Sequence, residues 1–149
     1  MAKRNARREP ADRSSLPCPC GSLETYGACC RRLHRGETGA ATAEQLMRSR
    51  YSGYAIGDTA YLLHSWHPDT RPARLVLDPQ QRWTRLEIVD TEGGSLFDST
   101  GVVEFRAHHR DRAGAGVLHE RSRFSRHDGR WVYLDAEPPP ETIIRTRGT

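Results

Sequence analysis

Four cysteines fall between residues 18 and 30, at Cys18, Cys20, Cys29 and Cys30, in the spacing C-x-C-x8-C-C. Thiolate sulfur is a soft ligand, and four sulfurs can close a tetrahedral site around zinc at Zn–S distances of about 2.3 Å. A metal held this way ties together a segment too short to build its own core. Four sulfur ligands leave no open coordination position, so the expected role is structural and not catalytic. Iron accepts the same thiolate set, and the residues do not choose between the two metals. Disulfides fit less well in a chain without an export signal. Adjacent Cys29 and Cys30 do not readily bridge each other, and the C-x-x-C redox spacing is absent. His34 stands near enough in sequence to replace one cysteine, but with a longer reach.

A second set of side chains could line a pocket: Arg50, Tyr54, Trp66, His67, Glu104, Glu120, Ser122 and Tyr133. Within it, Glu120 and His67 are the candidate catalytic residues, each able to act as a general base. Leu118, Glu120, Ser122 and Phe124 alternate along one expected strand. If the apolar pair points inward, the polar pair does too. A buried Glu120 needs a partner, and Arg48 or Arg50 on a preceding helix could supply it. That pair reads either as an ion pair holding helix to sheet or as part of a polar pocket. His67 precedes Pro68 and also suits a helix end, where a cation is favoured. No Gly-rich phosphate loop, H-E-x-x-H motif or Ser/His/Asp order occurs.

Helices and strands must position both sets. Thr42-Ala-Glu-Gln45 is a capping box, and the pattern after it predicts a helix to about Ile56. Gly57 stops that helix, and Asp58 caps a second, shorter one to about Trp66. Four strands are expected at about 82–91, 100–109, 116–126 and 130–135, separated by Gly93-Gly94, Gly114 and Asp128-Gly129. Two helices followed by an antiparallel meander give an α+β fold, with helices packed on a curved sheet and a cleft at its open end. Trp66, Trp83 and Trp131 read as core anchors. The expected organisation is a disordered basic tail at 1–16, a metal knuckle at 17–35, a cone-shaped α+β domain at 42–136 and a flexible tail at 137–149.

At 149 residues the chain has room for one domain with a small appendage. Its formal charge is +4, but residues 1–36 alone carry a net +5. That segment would be drawn to a polyanion such as RNA, a ribosome or an acidic protein surface. Arg31, Arg32 and Arg35 follow the last cysteine and are the candidate partner-binding residues. No apolar run approaches the roughly 20 residues that span a bilayer. No secretory signal is present either, so the expected location is cytoplasmic.

The stretch Cys18-Pro-Cys20-Gly-Ser22 through Cys29-Cys30 resembles the SEC-C motif, a small metal-binding knuckle. Further matches follow in order: Glu44 to Tyr51, Ser65-Trp-His-Pro68, Thr70-Arg-Pro72, Leu86-Glu-Ile88, Val103-Glu-Phe105, His119 to Phe124, and Asp128 to Asp135. Together they resemble the bacterial YchJ family over about residues 17–135. The resemblance implies a SEC-C knuckle followed by a cystatin-like, nuclear-transport-factor-like cone. It also implies zinc, with iron as the alternative, and protein or ribosome partners. Many SEC-C knuckles carry lysines between the cysteine pairs. Here that stretch is Leu23-Glu-Thr-Tyr-Gly-Ala28, and the basic residues follow the motif instead. Three functions compete: a metal-stabilised adaptor, a small enzyme or ligand-binding protein with its site in the cone, and a metal or redox sensor.

Overall fold

The computed structural model describes residues 12–137. Residues 1–11 of the expected basic tail, and the expected flexible tail beyond Glu137, lie outside the described residues.

Helix α1 (Cys30–His34) is little more than one turn and starts at the last cysteine. Helix α2 (Ala43–Ile56) starts where Thr42 Oγ1 accepts the Gln45 N–H at 3.1 Å. Gln45 reaches back as a capping box requires, but its Oε1 takes the Ala41 N–H at 2.6 Å and not that of Thr42. Gly57 ends α2 with φ 78°, a left-handed conformation that costs glycine nothing. Helix α3 (Thr59–His64) is capped by Asp58, whose Oδ1 accepts the Tyr61 N–H at 3.0 Å. It stops short of Trp66. That residue forms a parallel bridge to Tyr133, and the His67 N–H donates to the Tyr133 carbonyl at 2.8 Å. Pro68 disfavours helical geometry at His67, so the chain pairs with the sheet instead.

Four strands form one antiparallel meander in the order β1-β2-β3-β4: β1 (Arg82–Gly93), β2 (Thr100–Asp111), β3 (Gly114–His127) and β4 (Arg130–Glu137). Positive φ at both Asp128 and Gly129 makes the tight turn between β3 and β4. Register shifts interrupt β1 twice and the β3–β4 pairing once. Such bulges bend and twist a sheet. The helix side buries Val103, Phe105, Ala107, Phe124 and Trp131 against Leu46, Met47 and Tyr51 of α2. The far face is charged. There Arg121 pairs with Glu92 at 2.8 Å, Glu137 at 3.0 Å, Glu104 at 3.1 Å and Asp90 at 3.5 Å.

The start of α2 is seated on the β1–β2 hairpin. The Ala43 N–H donates to the Gly94 carbonyl at 2.9 Å. A Cβ on Gly101 would lie 2.5 Å from the Gly94 Cα, so the close approach requires glycine there.

Two expectations change at the N-terminal side. Residues 12–16 are not part of a loose tail. Arg13–Ser15 form a 3₁₀ turn capped by Asp12, whose Oδ1 accepts the Ser14 N–H at 3.0 Å, and the Leu16 carbonyl accepts from Tyr26 N at 2.8 Å. The cysteine segment is not a separate appendage either. Cys18, Cys20, Tyr26 and Cys30 belong to the same buried cluster as Leu46, Met47, Tyr51, Val103 and Phe124. A segment with few apolar residues of its own gains its buried surface by docking on α2.

Candidate functional site

The knuckle starts as a small loop. Pro17 bridges Thr25, and the Cys18 N–H donates to the Glu24 carbonyl at 2.9 Å. Gly21, at φ 80°, lets the chain turn immediately after Cys20, and its N–H donates to the Cys18 carbonyl at 3.1 Å. Cys29 and Cys30 come from the turn into α1. The four Sγ atoms lie within 4.8 Å of one another. Cys20 and Cys29 are 3.7 Å apart, and Cys29 and Cys30 are 3.9 Å apart. A tetrahedral thiolate site with bonds of about 2.3 Å has sulfur–sulfur edges of about 3.8 Å. The donor set and its spacing therefore fit a tetrahedral metal ion.

Polar groups surround the sulfurs. Ser22 Oγ is 3.2 Å from Cys29 Sγ, and Ser52 Oγ of α2 is 3.6 Å from Cys18 Sγ. Arg48 Nη1 donates to the Cys20 carbonyl at 2.7 Å, while its Nε donates to Glu44 at 3.0 Å. His34 does not take a cysteine's place. Its Nε2 donates to the Ser49 carbonyl at 2.8 Å and its Nδ1 accepts from the Tyr26 hydroxyl at 2.7 Å, so both nitrogens are engaged.

Negative charges on sulfurs this close repel one another unless a cation lies between them. Hydrogen bonds from Cys20 and then Cys30 hold Cys18 far below the usual thiol range. Burial pushes Cys29 up to about 11. Cys30 is raised as well, first by its sulfur's hydrogen bond with Cys18. A divalent cation replaces these protons on binding, so affinity must fall as the pH falls. Of the candidate partner-binding residues on and beside α1, Arg32 and Arg35 are exposed. Arg31 is half-buried, with Nη1 4.0 Å from Glu37 Oε2.

The second candidate site is a cavity of about 220 Å³ between α2 and the sheet. Arg50, Tyr54, Trp66, Glu120, Ser122 and Tyr133 line it, as expected. Glu104 and His67 do not. Residues alternate between faces along a strand, and buried Val103 and Phe105 send Glu104 to the far face, onto Arg121 and His119. His67 lies in the turn after Trp66. Its Nδ1 accepts the Asp69 N–H at 3.0 Å, and its ring packs on His127. Met47, Tyr51, Trp83, Phe105, Ala107 and Leu118 complete the lining. Met47 and Tyr51 stand one helical turn apart on α2, and Phe105 and Ala107 of β2 and Leu118 of β3 sit at alternating strand positions, a spacing that sequence reports directly.

The expected ion pair from Arg48 or Arg50 to Glu120 is absent among the described residues. Arg48 faces the knuckle. Arg50, 4% exposed, is held by α3 through Nη1, which donates to the Leu62 carbonyl and Ser65 Oγ, both at 2.8 Å. Its guanidinium lies 4.8 Å from the Trp66 ring centroid and 4.6 Å from that of Tyr133. Desolvation lowers the Arg50 pKa from its ordinary value. Glu120 accepts from Ser122 Oγ at 3.1 Å, and burial raises its carboxyl above the usual range.

A family model for the middle, NTF2-like domain of YchJ matches residues 42–136, and a SEC-C motif model matches residues 15–32. This chain belongs to the YchJ family. A UPF0225 protein of Streptomyces coelicolor is 60% identical to it over 121 residues, covering 81% of this chain and 94% of the relative. A UPF0225 protein of Deinococcus radiodurans is 49% identical over 121 residues, covering 80% and 88%. The solution structure of a SEC-C motif containing protein from Rhodopseudomonas palustris superposes with a TM-score of 0.72 at 32% identity, covering 83% of this chain and 99% of that one. The crystal structure of a SEC-C motif containing protein from Psychrobacter arcticus gives 0.68 at 26% identity, covering 85% and 86%. In this YchJ-family chain the two matched segments share one buried core. No helix among the described residues is long and apolar enough to cross a membrane.

Proposed function

We propose that this YchJ-family protein is a zinc-stabilised, non-enzymatic binding module that acts in the cytoplasm. The observation that carries the reading is the closed set of four sulfurs, which leaves a tetrahedral metal no position for substrate. Zinc is favoured because it needs no redox function and suits a structural thiolate set. The metal fixes α1, and the exposed Arg32 and Arg35, with Arg31 beside them, then present positive charge to a polyanionic partner. The partner proposed is RNA on the ribosome. An enzyme with His67 as its general base has less support, because His67 lies outside the cavity, and that leaves Glu120 as the candidate base of this second reading.

The test is binding of the full, zinc-loaded chain to purified ribosomes across a salt series. Association should weaken with salt. Arg32→Gln with Arg35→Gln should flatten the log–log slope by about 1.4, at about 0.7 per single-strand phosphate contact. Association that ignores salt, or none at all, refutes the reading. Binding only to acidic proteins would reassign the partner.

A further inference from the structure

We propose that the cavity beneath α2 binds a small apolar or aromatic monocarboxylate, with Arg50 as the residue that receives the carboxylate. The inference is independent of the metal centre.

Arg50 is buried, yet no carboxylate of the described residues lies within 4.0 Å of it. Glu120 lines the same cavity but pairs with Ser122 and not with Arg50, and a buried cation without a directly paired carboxylate is unfavourable unless something compensates it. Arg50 cannot readily swing away to find one, because Nη1 is fixed to α3 and aromatic rings flank the guanidinium. Its hydrogen bonds within 3.5 Å among the described residues run from Nη1; the Tyr54 hydroxyl is a further partner on the cavity wall, so a ligand would share the rest of the guanidinium edge with it. A carboxylate matches a guanidinium edge with two parallel hydrogen bonds. Trp66 Nε1 is a second orphan, buried and without a hydrogen-bond partner.

The remainder of the wall defines the ligand's other end. Tyr51, Trp83, Phe105 and Leu118 give it an aromatic and aliphatic lining. The volume of about 220 Å³ exceeds the roughly 150 Å³ that holds one benzene. A single ring with a short acid arm fits that space. Glu120 faces the cavity from β3, where burial raises its carboxyl above the usual range.

The probe is phenylacetate, titrated into the zinc-loaded full chain by calorimetry and by NMR of the tryptophan indole N–H signals. Its neutral and cationic counterparts, 2-phenylethanol and phenethylamine, are titrated in parallel. Phenylacetate should bind at one site, about tenfold or more tighter than the alcohol, as expected for hydrogen bonds to a charged partner. It should shift the Trp66 and Trp83 indole signals, and Arg50→Lys should abolish the preference for the acid. If the variant does not fold, the comparison on the wild type decides. Equal binding of acid and alcohol overturns the proposal. Preference for the amine, which would point to Glu120, or binding of none of the three also overturns it.

Discussion

His34 of α1 donates from Nε2 to the carbonyl of Ser49, one helix away in α2, at 2.8 Å. The same ring accepts the Tyr26 hydroxyl proton at Nδ1 and packs between Tyr26 and Tyr61, with centroids 5.6 and 4.6 Å away. Tyr61 continues the chain by donating to Ser49 Oγ at 2.6 Å. One imidazole therefore joins the knuckle, α1, α2 and α3. His34→Ala strips Tyr26 of its acceptor and opens a void between two rings. It should cost about 2 kcal/mol in urea unfolding. Metal content should not change, since His34 is not a ligand; loss of metal in this variant would contradict the assignment.

Gly101→Ala should destabilise more than most surface substitutions. The added Cβ would fall 2.5 Å from the Gly94 Cα and 3.2 Å from the Ala43 Cβ, and backbone cannot yield cheaply. A loss of about 1–3 kcal/mol is expected. Thermal unfolding checks it, and an unchanged midpoint would mean the helix start is not seated on the hairpin.

Alkaline pH should unfold the metal-loaded protein in a defined window. Burial pushes the phenols of Tyr26, Tyr51, Tyr61 and Tyr133 from 10.0 to about 12. Between these values the unfolded chain has lost the protons and the folded chain still holds them. Folding is then opposed as the pH rises, and the stability present below pH 10 is lost toward pH 12. Urea midpoints at stepped pH measure the slope. Tyr61→Phe should shallow it, and a slope of opposite sign would contradict the burial of these phenols.

Much of this was legible in the residues. Thr42, Gly57 and Asp58 set their helix boundaries through local hydrogen bonding and backbone freedom, which sequence reports directly. Alternation placed Leu118, Glu120 and Ser122 on one face, and the structure puts all three at the cavity. The same period, applied to Val103 and Phe105, sends Glu104 to the other face. The polar character of Glu104 suggested a pocket, but strand parity decides its direction. The residues alone put His67 at the end of a helix reaching Trp66, whereas the bridge of Trp66 to Tyr133 ends that helix earlier and carries His67 away from the cavity. The Gly94–Gly101 approach and the docking of the knuckle were not legible. Both depend on contacts between residues distant in sequence, as does the absence of a carboxylate beside Arg50.

The four-cysteine site belongs to the core of the whole domain: three of its cysteines are buried with the residues that join α2 to the sheet. Calorimetric unfolding before and after chelation, with metal content measured on the same sample, tests it most directly. The expected result is one equivalent of metal and a single cooperative transition. On chelation that whole transition, followed through the buried Trp131, should move down by more than about 10 °C. Two transitions, with the one reported by Trp131 unmoved, or a wild-type protein that takes up no metal, would contradict it.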